Sequence, residues 1–225
     1  MTLQEAIIAR HSVRQYIDKP IEAEKIAQLQ ALIDQSNQEA GLHMQLVVNE
    51  PKAFAGGLAK YGKFSGVSNY IAMIAPKDRD TQLGYYGEQV VLLAQTLGLN
   101  TCWVGLTFRK QPDRYEVRDG EALNSVISLG YGATQGVQHP QKKTIDDVAE
   151  NKSRAAYPDW FVHGIEAALL APTAVNQQKF LFILHPDNCV EAKARFALSG
   201  YTPTDLGIAM CHFEIGAGKE HFTWK

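Results

Sequence analysis

Cysteine is scarce in this 225-residue chain: Cys102, Cys189 and Cys211 show no Cys-x-x-Cys spacing, which excludes a disulfide framework or a zinc ribbon. Their apolar surroundings mark them as small buried thiols of a reducing compartment. Long hydrophobic runs are also missing. No apolar stretch approaches the roughly 20 residues of a membrane span, and the first ten residues lack the apolar run and cleavage site of a signal peptide. A cytoplasmic, membrane-free protein is expected. A formal net charge of -2 provides no whole-chain field for nucleic acid or acidic membrane, so an anion site must be a local cluster of basic residues. Basic residues do not alternate with aromatic ones as in nucleic-acid binders.

Several chemical signatures are missing too. The chain has no Gly-x-x-x-x-Gly-Lys-Ser/Thr loop, and its seven histidines form no His-x-x-x-His pair, so no metal site is expected. His212 and His221 read as structural or surface residues. Gly130-Tyr-Gly-Ala-Thr-Gln-Gly136 is one residue too long for a dinucleotide fingerprint and leads to His139-Pro140 instead of a helix. His11 adjoins Ser12, but neighbours in sequence rarely meet in acyl-transfer geometry and no activating acid is evident.

What is present is an ordinary globular composition, 45% hydrophobic and 20% charged, enough for one core or two small lobes sharing one. Thr2-x-x-Glu5 is a capping box, so a first helix ends near Arg10 and leaves Arg10-His11-Ser12-Val13-Arg14 at its exit. Helical spacing of Ile26, Leu29 and Ile33 predicts a second helix to about Gln35. Strands are expected at 43–48, 70–75, 101–104 and 125–129, a loop at 56–67, and a helix buried on most sides at 85–97. Residues 136–143 and 152–157 read as connections. A second helix-strand set at 160–170, 181–184, 208–216 and 222–224 repeats the order of the first half faintly.

After the 160–170 helix comes Ala171-Pro-Thr-Ala-Val-Asn-Gln-Gln178. Proline stops the helix, and the polar residues beyond it suit contact more than packing, so the segment reads as a ligand cradle.

These segments resemble the FMN-dependent nitroreductases. Ile8-Ala-Arg-His-Ser-Val-Arg-Gln-Tyr16 is similar to their Arg-x-Ser-x-Arg signature, and Tyr86-Gly-Glu-Gln-Val-Val with Leu99-Asn-Thr-Cys-Trp-Val-Gly-Leu106 to their central helix and flavin-facing strand. Ser128-Leu-Gly-Tyr-Gly132 and Gln141-Lys-Lys-Thr-Ile-Asp-Asp-Val148 are similar to the final strand and basic tail, and 171–178 to the Ala-Pro-Ser-x-x-Asn-x-Gln loop. In that family the arginine motif of one subunit and the loop of the other hold FMN at a dimer interface. Here the loop's usual place, Asp34-Gln-Ser-Asn-Gln-Glu-Ala40, lacks the pattern. The second repeat in turn offers only Arg154-Ala-Ala-Tyr157 for the arginine motif. The resemblance is therefore to the two-lobed, single-chain branch of the family.

It implies an α+β nitroreductase-like fold, a sheet flanked by helices and duplicated as an intramolecular pseudo-dimer. Residues 1–150 would form the first lobe and 151–225 a reduced second lobe carrying the loop. FMN is the implied cofactor and NADH or NADPH the reductant. The implied function is two-step hydride transfer to a small electron acceptor, a nitroaromatic or quinone. Arg10, His11, Ser12 and Lys142 or Lys143 would serve the phosphate. Arg14, with Lys63, would face the charge of the reduced flavin. Val104, Gly105 and Leu106 would lie along the ring, with Pro172, Thr173, Ala174, Asn176 and Gln178 opposite. No side chain is required as nucleophile, and a monomer suffices. A flavin carrier or regulatory protein without turnover, and a relative that dehalogenates or degrades flavin, are the alternatives.

Overall fold

The computed structural model describes residues 1–150, 157–197 and 200–225. Helix α1 (Leu3–Ala9) opens with the expected capping box: Thr2 Oγ1 accepts the Glu5 N–H at 3.2 Å and the Glu5 carboxylate accepts the Thr2 N–H at 2.8 Å. Beyond Arg10 the backbone is extended. Ser12 bridges to Thr101, Gln15 to Ser65 and Tyr16 to Gly132, so the N-terminal basic segment is laid along a sheet edge.

That sheet is antiparallel, in the order β1 (Gln45–Val47), β2 (Asn69–Pro76), β4 (Glu121–Gly130), β3 (Asn100–Val104). The two-residue alternation of strand side chains divides β2 between two cores. Tyr70, Ala72 and Ile74 face Phe54, Phe64 and Phe108, whereas Ile71, Met73 and Ala75 face α2 (Ala23–Ala40) and α4 (Asp80–Thr96). A smaller second sheet pairs β5 (Phe180–Leu184) antiparallel to β6 (Cys189–Ala194) and β6 parallel to β7 (Thr223–Trp224). Its core packs Phe182 and Phe213 face to face at 4.7 Å under α6 (Asp159–Ala168) and α7 (Thr202–Ala217).

The expected 160–170, 181–184 and 222–224 elements are found close to those bounds. Differences lie at the ends and in short elements. Helix α2 continues to Ala40, where Gly41 in the left-handed region closes it. The 56–67 loop contains the short helix α3 (Gly57–Tyr61), and β4 starts at Glu121. Helix α7 begins at Thr202, earlier than the apolar stretch suggests, because Pro203 is compatible with a helical first turn. Strand β6 and the short α5 (Ile145–Val148) were not expected. The 152–157 connection, and with it Arg154-Ala-Ala-Tyr157, falls outside the described residues apart from Tyr157.

Helices α4 and α7 meet backbone to backbone. A Cβ at Gly84 would sit 2.1 Å from the Thr204 carbonyl oxygen, and one at Gly207 would sit 1.9 Å from that of Thr81. The contact is reciprocal within a repeated motif, Thr81-Gln-Leu-Gly84 and Thr204-Asp-Leu-Gly207. Such mutual exchange of partners is the signature of a two-fold contact. No described helix is long and apolar enough to cross a membrane.

Candidate functional site

The opening basic segment and the late proline loop line the same cleft. Its volume is about 280 Å³, and its walls come from five places: Ser12 and Arg14, the end of β3 from Trp103 to Leu106, Ser125 of β4, residues 172–175, and the start of α7 with Tyr201, Thr204, Asp205 and Ile208. An adjoining recess shares Arg14, Trp103, Val104 and Gly105 with it and adds Lys63 and Phe64. Arg14 stands on both, its guanidinium carbon 6.0 Å from the centre of the Phe64 ring.

Of the residues proposed from sequence, Ser12, Arg14, Val104, Gly105, Leu106, Pro172, Thr173 and Ala174 are brought onto the cleft, with Lys63 in the recess. The others stand behind or beside it. Arg10 is 4% exposed and turned inward, its Nε 3.7 Å from Glu88 and its Nη2 3.5 Å from the Leu170 carbonyl. Burial pushes its pKa down, and the Glu88 charge opposes that. His11 packs beside Gly136, with its pKa lowered by burial and then by Arg10. Lys142 is exposed and Lys143 half-buried on the 136–143 connection, both off the lining. The same connection carries His139, whose Nε2 lies 3.3 Å from the Leu169 carbonyl. Burial lowers its pKa, and repulsion from Arg10, His11 and His212 acts in the same direction.

Asn176 and Gln178 brace the loop from the rear. Asn176 Nδ2 donates to the Pro140 carbonyl at 2.9 Å, and Gln178 Nε2 donates to that of Leu169 at 2.8 Å, one of the carbonyls left open where α6 ends. Thr173 Oγ1 accepts the Gln178 N–H at 3.1 Å. These ties hold an unusual backbone. Val175, Asn176 and Gln178 have φ of 48°, 52° and 47°, a left-handed conformation that costs about 1–2 kcal/mol per residue and least for Asn. Strain of this kind concentrates at ligand clamps. Asn176 Oδ1, Gln178 Oε1 and Arg10 Nε are also buried without a hydrogen-bond partner. Three orphaned polar atoms at the back of one loop fit a polar ligand.

Motif reading passed over the start of α7. Asp205 accepts the Ala174 N–H at 2.9 and 3.1 Å on its two oxygens and the Gln177 Nε2 at 2.8 Å. Burial pushes its pKa up to about 6, with the Gln177 and Ala174 hydrogen bonds opposing. Tyr201 donates its hydroxyl to the Gly105 carbonyl at 3.0 Å, and a Cβ at Gly105 would lie 2.5 Å from its ring. The close approach allowed by Gly105 is therefore used by Tyr201. The sequence signal for this region was Thr202-Pro203 followed by Asp205, a helix-start pattern in its own right.

Trp103 forms another wall and donates its Nε1 to Glu88 Oε2 at 2.8 Å. The other oxygen of Glu88 lies 2.9 Å from His212 Nε2, and His212 Nδ1 lies 3.1 Å from the Ala167 carbonyl. Both ring nitrogens face oxygen atoms, which fixes the ring between α4 and α6. A buried Arg10–Glu88–His212 cluster, joining α1, α4 and α7, thus supports the cleft from beneath.

A family model described as "Putative TM nitroreductase" matches residues 2–217. Among solved structures, a "putative nitroreductase" of Thermotoga maritima MSB8 shares 23% identity at a TM-score of 0.68, over 98% of this chain and 85% of that one. A "Putative NADH dehydrogenase/NAD(P)H nitroreductase" of Bacteroides thetaiotaomicron VPI-5482 shares 22% identity at a TM-score of 0.50, over 67% of this chain and 98% of that one. Comparison with curated proteins gives no significant match. At these identities the structural likeness speaks for the fold. The family model spans nearly the whole length, from the capping box of α1 to the last residue of α7, and the chain belongs to the nitroreductase family it describes.

Proposed function

We propose that this chain is an FMN-dependent NAD(P)H oxidoreductase that reduces small electron-poor acceptors, nitroaromatics or quinones, by two successive hydride transfers. One observation carries the reading. Ser12 and Arg14 line a single cleft together with Pro172, Thr173 and Ala174, although some 160 residues separate them. The segments that resemble the family's paired flavin-holding motifs, ordinarily on two subunits, line one cleft of a single polypeptide. FMN, when bound, supplies the hydride chemistry at its ring, so the chain needs no nucleophile.

The chain's own residues have distinct tasks. Ser12 and His11, with Lys142 or Lys143, are assigned to the phosphate, and Arg10 adds its charge from behind the surface. Arg14 and Lys63 place positive charge where a reduced ring carries negative charge. Pro172, Thr173, Ala174, Val104 and Leu106 offer walls, and Trp103 is fixed by Glu88. Asn176 and Gln178 are assigned to FMN through their unpartnered oxygens. The exposed apolar side chains of Leu106 and Val175 at the cleft suit a flat apolar acceptor. The reciprocal α4–α7 contact supports a fused duplication, with residues 1–150 as one lobe and 151–225 as the other. A fused duplication of this kind would let a monomer carry one FMN.

The decisive experiment is anaerobic. Purified protein loaded with FMN should bleach on addition of NADH or NADPH and recover its colour with a nitroaromatic. Binding without bleaching would instead identify a carrier. Arg14→Ala and Ser12→Ala should each weaken FMN binding about 10-fold, the weight of one hydrogen bond to a charged group at a partly exposed position. Fluorescence titration with FMN measures this, and parental affinity in both variants would remove the site.

A further inference from the structure

The reciprocal α4–α7 contact implies an approximate two-fold axis, and such an axis gives the cleft a counterpart. Thr204, Asp205 and Ile208 of α7 line the cleft. The same three positions of α4, Thr81, Gln82 and Tyr85, line a second recess of about 330 Å³. Strand β7 follows α7 as β3 follows α4, and Trp224 walls the recess as Trp103 walls the cleft. Each indole is anchored alike. Trp103 Nε1 donates to Glu88 of α4 at 2.8 Å, and Trp224 Nε1 donates to Glu214 of α7 at 3.0 Å.

The chemistry of the two walls differs. Tyr85 stands where the cleft has Ile208, Tyr86 follows it, and Met210 adds a thioether. The Tyr85, Tyr86 and Trp224 side chains are half-buried, and a single carboxylate holds two of them by their polar edges. Tyr85 donates its hydroxyl to one oxygen of Glu214 at 2.6 Å, and Trp224 takes the other. Tyr85 and Tyr86 meet edge to face at 5.2 Å. Rings fixed in this way offer apolar surface to a ligand at little cost in side-chain freedom. Lys219, the cation of this lining among the described residues, is paired with Glu214 at 3.5 Å. The Glu214 carboxylate disfavours an anion here, whereas Arg14 favours one in the cleft. Residues 34–40, which correspond to the proline loop, are wound into α2.

We propose that this recess is a second ligand site of the chain, one that takes an uncharged, planar, fused-ring aromatic molecule against Tyr85, Tyr86 and Trp224.

The inference rests on the fused duplication of the reading above and not on its hydride chemistry. The recess is large enough, since small-molecule sites begin at about 300 Å³. Apolar burial and ring contacts supply the binding, and the sulfur of Met210 adds a favourable contact with an aromatic edge.

The probe is lumichrome, a bare fused-ring system without phosphate, and the reporters are methionine methyl groups read by NMR. Met210 lines the recess, whereas Met73 Cε lies with the Trp103 ring against Gly87, on the cleft side. Lumichrome should move the Met210 resonance, assigned with Met210→Leu, and the shift should saturate. Tyr85→Leu keeps an apolar side chain but removes the ring, and should weaken this binding about 5- to 10-fold. Tyr86→Leu should act likewise and stands in if Tyr85→Leu does not fold. FMN should leave Met210 unmoved. A Met210 resonance that ignores lumichrome, or that follows FMN as closely, overturns the site. Parental affinity in both tyrosine variants does the same. A Met73 response to FMN concerns the cleft alone, so failure of the flavin reading and failure of this site are told apart.

Discussion

Replacing Gly207 with alanine will destabilise the protein by about 3 kcal/mol or more, or prevent folding altogether. In an ordinary helix interior the same change gains up to about 1 kcal/mol, because alanine is the better helix former. Packing reverses the sign. The added methyl would sit 1.9 Å from the Thr81 carbonyl oxygen and 2.7 Å from the Tyr85 nitrogen, both backbone atoms of α4. Neither can rotate away as a side chain can, so the helices must separate and the surrounding apolar contacts loosen with them. Gly84→Ala should behave alike, with its methyl 2.1 Å from the Thr204 carbonyl oxygen. Gly57→Ala is the control, since nothing lies within 4 Å of a Cβ there and the residue opens a helix. Urea denaturation measures all three. Parental stability in Gly207→Ala would mean that α4 and α7 do not touch as described.

The second large effect lies beneath the cleft. Glu88→Ala should cost about 3–5 kcal/mol, the usual consequence of leaving buried charge without its partner. Glu88 and His212 are 0% exposed and Arg10 is 4% exposed, so water cannot take over the role of the carboxylate. The substitution also leaves the Trp103 Nε1 without its acceptor. Glu88→Gln keeps oxygen for one of these donors and should lose less. A loss below about 1 kcal/mol in Glu88→Ala, read from the same denaturation curves, would contradict the buried Arg10–Glu88–His212 cluster.

Much of this architecture was readable from sequence because it rests on local rules. The Thr2–Glu5 cap, the Ile26-Leu29-Ile33 stripe and the halt at Pro172 each depend on residues within a turn or two. The meeting of the Arg10–Arg14 segment with residues 171–178 was legible for a different reason: each matched half of a pattern whose halves are partners. Pairings without such a pattern stayed hidden. Arg10, assigned to the phosphate, is turned inward by Glu88, which is far away in sequence. The role of Asp205 at the loop stayed hidden because its contacts to Ala174 and Gln177 are tertiary. Gly105 is expected along the flavin ring, and the group that lies against it is the Tyr201 ring, which is far away in sequence. Strand β6 is polar and partly exposed along much of its length, so its sequence carries little alternation.

The direct apposition of α4 and α7 bears on how this molecule comes apart. Helix α4 supplies part of the core of the first sheet and α7 part of that of the second, and with Ala6 and Ile7 of α1 they enclose Leu92 and Cys211. Loosening either core bares the other's central helix, so the two should melt together. Calorimetry should record one transition whose van't Hoff and calorimetric enthalpies agree, as for a single cooperative unit.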